Sequence, residues 1–434
     1  MQNVFEMLGH AHYGRAGDFY LDLDPAGKGF VYFVTTTAGA AAPIKAVLPQ
    51  LELLVSANPA TTDLTWTDVT FAEATWLAPS GPDGFVEMQA GCTLRGPIPA
   101  GHKDWYDDAL WTPTAANILL VGVRNAKFNG CTFTRLGACG VSFEGGAQNN
   151  SISHSTFSDI SASAVSIGRT NSYNVTEPAG QDADNAVTDC LITNVANEYH
   201  GAPGVAVFYA RGTSLVHNEI SQLPYSGVSI GWGWGRTMEI TWPGMPWDAD
   251  NHVDGNDIHD VMLMLGDGGS IYTLGPQGNV PFPKGPSGKV YPDRPTAPLQ
   301  VLPPSTCNGN YIHDTGPADG TKDQPGAGSH FPGGLYNDEG TTNWQMTGNV
   351  VVDTAAWLQG CRFADGWIGH MNQTHNFITC DKKPPHSKNG CSLINANTTA
   401  ADCDVANDVH FPTRKAMPAV AQAVMKAAGP RPEL

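Results

Sequence analysis

The chain has 434 residues, only 15% of them charged, and its 23 basic against 41 acidic side chains leave a formal charge of -18. That balance repels phosphate backbones and anionic bilayers, which excludes nucleic acid and membrane surfaces as partners. No apolar run approaches the roughly 20 residues that span a bilayer, and the longest, Ile118 to Val123, has the length of a buried strand.

At the N-terminus no basic and apolar leader is visible after Met1. From Gly17 to Val34 the run GDFYLDLDPAGKGFVYFV reads as a hairpin of two aromatic-rich strands around a Pro-Ala-Gly-Lys-Gly turn. With the apolar stretch Ile44 to Val55 it is expected to form an accessory antiparallel β subdomain over residues 1–60.

The main body, residues 61–410, opens on the alternating run LTWTDVTFAEATW and then repeats. An apolar residue followed three positions later by another apolar residue or Thr returns at Phe133, Phe157, Ile192, Ile220, Ile258, Ile312 and Val351, usually just after an Asn. An eighth copy, Ile378, keeps only its upstream Asn376. The spacings are 24, 35, 28, 38, 54, 39 and 27 residues, without a helical period, which is the signature of a solenoid. Seven residues after the anchor a second short strand begins in the tightest copies, as in GVSF from Gly140, AVSI from Ala164 and GVSI from Gly227. Short β-branched strands bounded by Gly and Asn suit stacked parallel coils. The fold class is therefore all-β, a right-handed parallel β-helix solenoid with the small N-terminal subdomain and a short C-terminal helix. Proline-rich residues 276–306 and residues 316–332 read as insertion loops. The Ala-rich segment KAMPAVAQAVMKAAG within 411–434 reads as a terminal helix that caps the last coil.

Four sequons, at Asn149, Asn174, Asn372 and Asn397, are compatible with an extracellular or secretory-pathway glycoprotein. In an oxidising compartment Cys361, Cys380, Cys391 and Cys403 could form local disulfides; the alternative is free buried thiols. A calcium loop starting at Asp250 has Gly255 in place but Val261 where a bidentate Glu is required. Nor does the chain contain a phosphate loop or a GxSxG elbow.

Chemistry-bearing residues crowd between Tyr225 and Trp344. The strings LPYSGVSIGWGWG, LGDGGSIYTLGPQ, NYIHD and GGLYNDEGTTNW resemble motifs of a β-helix carbohydrate-active group that includes glycoside hydrolase family 141. FEMLGHAHYGRAGDFYLDLDPAGKGFVYFV, TFAEATW and GFVEMQAG resemble that group's accessory region and first coils. The resemblance implies glycan hydrolysis of the α-L-fucosidase or xylanase type, with the catalytic acids at Asp267 and Asp338 and Glu339 as the alternative acid. Such hydrolysis needs one carboxyl to protonate the leaving oxygen and another to act as nucleophile or to activate water. Aligning Tyr272 with Tyr336 sets the two aspartates seven positions apart along the coil. At about 3.3 Å per residue that exceeds the ~5 to 10 Å of a working pair. The steps Gly268-Gly269 and Gly333-Gly334 are therefore expected to turn the chain back, unless the aspartates only cap solenoid turns.

Trp232 and Trp234 alternate with Gly, which puts both indoles on one face as a platform for sugar rings. Tyr272, Tyr336 and Trp344 are further candidates for the cleft, and the resemblance adds His200 and Tyr225. His259 and His313, in paired IHD strings, could donate to substrate or shuttle protons. Two positions after each anchor runs a polar column, Arg135, Asp159, Asn194, Gln222, Asp260, Asp314 and Asp353. Its acidic end, with Asp260 and Asp314, reads as a turn ladder or as a Ca²⁺ site; otherwise no cofactor is required. The expected protein is a monomeric glycosidase acting on a plant or algal polysaccharide or oligosaccharide. The alternatives are a polysaccharide lyase in the same cleft and a noncatalytic glycan-binding β-helix. A lyase needs basic residues, and Arg236 is the only one between Tyr225 and Thr273.

Overall fold

The computed structural model describes residues 19–23, 29–33, 47–59, 61–81, 84–85, 87–94, 111–172, 175–233, 247–278, 301–316, 333–338, 340–354, 356–358, 368–379 and 403–432. Within them the chain winds as a parallel β-helix with three long sheets. One coil shows the plan: Lys127–Asn129 lies in the first sheet, Thr132–Leu136 in the second and Cys139–Glu144 in the third. The first and second sheets have ten strands each and the third has nine.

Every anchor of the sequence repeat falls in register in the second sheet. Phe133 faces Phe157, which faces Ile192, and the column continues through Ile220, Ile258, Ile312, Val351 and Ile378. Phe71 adds a coil before it and His410 one after. The side chains from Phe133 to Ile378 are at most 1% exposed, and Phe71, Phe133 and Phe157 stack face to face at 5.2 and 4.3 Å. Burial of each such ring contributes about 2 to 3 kcal/mol.

The upstream asparagines form a ladder that closes the corner between the first two sheets. Asn218 donates its side-chain amide to Asn256, Asn256 to Asn310, Asn310 to Asn349 and Asn349 to Asn376, at 2.9 to 3.0 Å. The residue before each rung is left-handed, for example His217, Gly255, Gly309, Gly348 and His375. A second left-handed column lies in the second sheet and is the polar column of the repeat. Arg135, Asp159, Asn194, Gln222, Asp260, Asp314 and Asp353 all have φ between 50° and 57° except Asp260, at 48°. The column is thus a backbone turn ladder, and it accepts Arg and Gln as well as Asp and Asn.

The hairpin strands Phe19–Leu23 and Gly29–Phe33 pair antiparallel. Val55–Ala57, expected in that subdomain, instead forms the parallel end strand of the third sheet against Ala116–Val121. Strand Ser305–Asn308 begins inside the 276–306 excursion, whose centre, like residues 317–332, lies outside the described residues. So do Cys361, Cys380 and Cys391 and the side chain of Cys403, while Cys92, Cys131, Cys139, Cys190 and Cys307 are free and buried.

The helix Ala419–Ala427 does not cap the last coil. Phe411, Met417 and Ala421 pack on Tyr311, Val350 and Val352, on the outer face of the second sheet. Beyond the helix, Gly429 N–H bonds the Gly255 carbonyl at 2.9 Å and Arg431 pairs with Asp189 at 2.9 Å, so the segment straps earlier coils. Its apolar stripe is used up against a sheet face, which leaves nothing to cover a coil end. Among the described residues no helix is long and apolar enough to cross a membrane.

Candidate active site

A column of the third sheet builds the site. Side chains of a strand alternate between faces, and the outward positions in register are Ser142, Ser166, Ala206, Ser229, Tyr272 and Tyr336. Four small residues are followed by two large phenols, whose rings lie 5.3 Å apart. One step along, the inward column Phe143, Ile167, Val207 and Ile230 turns polar at Thr273 and Asn337. Thr273 Oγ1 donates to Asn337 Oδ1 at 2.9 Å, and the Thr273 carbonyl accepts the Asp338 N–H at 2.8 Å. That polar seat fixes the backbone of Asp338.

Tyr272 and Tyr336 are aligned in register, and each hydroxyl bonds one of the two aspartates. Tyr336 donates to Asp267 Oδ1 at 2.8 Å, and Tyr272 donates to Asp338 Oδ2. Each tyrosine thus reaches the aspartate carried by the other tyrosine's strand. The turn comes at Asp267 itself, which is left-handed with φ 55°, whereas Gly268 and Gly269 have no left-handed torsion. Those glycines serve a different purpose. A Cβ on Gly268 would lie 2.7 Å from the Tyr225 ring, and one on Gly269 would lie 2.8 Å from Tyr336 Cβ. Their absence of side chains lets Tyr225 and Tyr336 close on the aspartate.

Tyr225 completes the arrangement, donating to the Asp267 carbonyl at 2.7 Å and accepting from Gln89 Nε2 at 2.8 Å. Burial, and after it the charges of both aspartates, push the Tyr225 and Tyr336 phenols well above their ordinary values. Burial and the charge of Asp338 do the same to Tyr272. All three therefore stay protonated as donors at neutral pH. Asp267 and Asp338, both half-buried, thus each act on Tyr225 and Tyr336.

No family model and no curated protein matches the chain. Among solved structures it resembles one named glycoside hydrolase. That likeness covers 96% of this chain and 59% of the other at 20% identity, with a TM-score of 0.63. It is a likeness of fold, a glycoside hydrolase-like β-helix.

A flap missed by sequence reasoning covers the upper end of the column. Glu87–Met88, Cys92–Leu94 and Trp111–Pro113 form an antiparallel sheet, so GFVEMQAG belongs to the flap and not to a coil. Ala90, Cys92 and Trp111 join Tyr272, Tyr336, Phe208 and Trp232 in one buried apolar cluster. Glu87 Oε1 accepts the Gly201 N–H at 2.9 Å, and burial raises its pKa to about 7. No periodicity marks this flap, because its strands are two or three residues long.

The other candidates fall in different surroundings. Trp232 is 1% exposed, packed edge-to-face on Trp111 and Phe208 at 5.5 and 5.1 Å, so its indole is flap packing and not an open sugar platform. Tyr272 and Tyr336 are also buried and hold the carboxylates. Trp344 is buried in the main core. The His200 ring bonds the Asn197 carbonyl at 3.1 Å. His259 and His313 stand on the second sheet, away from the strands that carry the aspartates. Trp234 and Glu339 lie outside the described residues. In the acidic column Asp314 and Asp353 are bridged by Arg414 at 2.7 and 2.8 Å.

Proposed function

We propose that this chain is a glycoside hydrolase of the family 141 type, with Asp267 and Asp338 as the acid and its partner, acting on a plant or algal polysaccharide in a fucosidase- or xylanase-like reaction. The observation that carries the reading is the crossed pairing of two neighbouring tyrosines with two aspartates that lie seven positions apart in sequence register. One carboxyl protonates the glycosidic oxygen; the other attacks the anomeric carbon or activates water. Tyr272 and Tyr336 orient the two side chains, and Tyr225 anchors the turn that presents Asp267. The protein works on the secretory route, a reading supported by the surface positions of the sequon residues Asn149 and Asn372.

The test incubates the chain with fucosylated pectin, xylan and uronate polymers while following reducing ends and the ultraviolet absorbance of unsaturated products. Reducing ends without absorbance are expected. Absorbance would make the protein a lyase, and retardation in a glycan affinity gel without either signal would make it a binding module.

A further inference from the structure

The outer face of the second sheet brings a different set of side chains together. In three adjacent coils Glu219 faces Asp257, which faces Tyr311, and Ser221 faces His259, which faces His313. The intervening Ile220, Ile258 and Ile312 are fully buried, so all six point outward. The two imidazoles stack at 4.7 Å with planes 8° apart. His259 Nδ1 lies 2.8 Å from Asp260 Oδ2, and His313 Nδ1 lies 2.6 Å from Asp314 Oδ2.

Those two bonds set the chemistry. A carboxylate on Nδ1 holds a ring proton there, so that an ion taking the place of any proton on Nε2 would meet its lone pair, which is how metal-ligating histidines are held. Both Nε2 atoms look toward carboxylates: His313 Nε2 is 3.1 Å from Asp257 Oδ1, and His259 Nε2 is 3.7 Å from Glu219 Oε1. Donor atoms of Asp257, His259 and His313 all lie within 4.8 Å of one another. Two ligands on a tetrahedral zinc sit roughly 3.3 Å apart, so small side-chain movements close the site. The turn aspartates are themselves fixed, by left-handed backbone at Asp260 and Asp314 and by Arg414 on Asp314 at 2.7 Å.

We propose that Asp257, His259 and His313, with Glu219 as the fourth ligand, bind a divalent first-row transition metal such as zinc. Two imidazoles with carboxylates suit that class, whereas calcium takes six to eight oxygens. The ion ties three coils together beside the C-terminal strap. Asp260 and Asp314 are positioning residues for the two imidazoles.

The untagged full chain, stripped with chelator, is titrated with Zn²⁺ by calorimetry and with Co²⁺ by visible absorption. The expected result is one strong equivalent, cobalt bands of nitrogen ligation, and a melting temperature raised by several degrees with Zn²⁺. H259Q and H313Q should weaken Zn²⁺ binding by about a hundredfold or more, because loss of an outer-shell partner alone already costs about 10- to 100-fold. H252Q is the control, because His252 lies 3.6 and 3.9 Å from Asp250 and Asp254 on the first sheet and makes a rival cluster. Binding lost only in H252Q, binding unchanged in all three, or no cobalt bands in the wild-type chain would each overturn the proposal. The wild-type cobalt spectrum decides even if a variant fails to fold.

Discussion

Tyr336 reaches back to Asp267, 69 residues earlier in the chain, and donates its hydroxyl to Oδ1 at 2.8 Å. Tyr272 makes the converse bond to Asp338. Hydrogen bonds to a charged group contribute about 1.5 to 3 kcal/mol. Y336F and Y272F should each lower kcat about 10- to 100-fold with little change in KM, alongside a fall in melting temperature from the lost bond. Steady-state kinetics on the polymer that the wild-type chain cleaves check this. A wild-type kcat in Y336F would show that the hydroxyl is not used.

Gly268 is expected to be intolerant of any side chain. The added Cβ meets Ser226 Oγ at 2.7 Å and the Tyr225 ring at 2.7 and 2.8 Å. G268A should lose about 1 to 3 kcal/mol by urea unfolding and also lose activity as Tyr225 leaves the Asp267 carbonyl. G309A is the comparison, with open space around its Cβ but φ +63°. It should cost only about 1 kcal/mol, the backbone penalty, and leave activity unchanged.

Two buried carboxyls make stability pH-dependent. Burial raises Glu87 from 4.5 to about 7 and Asp182 from 3.8 to about 7. Both folded values lie above the unfolded ones, so the native state holds protons that the unfolded chain has released. Stability is full below the unfolded values and falls as pH rises toward 7. E87Q and D182N should flatten that slope and gain on the order of 3 kcal/mol relative to wild type near pH 8, with little difference near pH 4. In D182N the amide oxygen can still accept the Gly146 and Ala147 N–H groups, at 2.9 and 2.8 Å in the wild type. Unfolding midpoints across this pH range decide; an unchanged slope in both variants would refute the assignment.

The asparagine ladder should behave as one structural unit. Asn310 accepts from the Asn256 backbone and side chain and donates to the Val253 carbonyl at 2.8 to 3.0 Å, fully buried. N310A leaves those groups without partners in a dry corner and should cost about 2 to 4 kcal/mol. Urea unfolding reads the loss. N372A, at an exposed position of the first sheet, should be near neutral.

Much of the coil was legible because a solenoid repeats its constraints at every turn. Phe133 to Ile378 share one buried column, and the Asn two residues before each anchor from Ile220 to Ile378 is a rung, whereas Cys131, Ser155 and Cys190 hold that place in the first three coils. The polar column was legible as a column, but its left-handed backbone was not, since Arg135 and Gln222 carry no local sign of it. Asp267 and Asp338 stood out through their motifs. The bonds that two tyrosine hydroxyls make to them across the coils were not legible, because strand register cannot foresee the direction of a side chain's last bond. Trp232 misled because its alternation with Gly predicted a bare face, while the flap that covers it comes from residues over a hundred positions earlier. The His259 and His313 pair was visible as a repeated IHD string, yet the carboxylates facing their Nε2 atoms come from register across coils.

As proposed, Asp267 and Asp338 work as one catalytic pair. The most direct measurement is the initial rate of reducing-end release by wild type, D267N and D338N, each first shown to have the wild-type melting profile. Removal of either carboxyl should lower the rate by about a thousandfold or more, and the double variant should be little worse than either single one, as for groups that act as a unit. Retention of wild-type rate in either single variant would contradict the account.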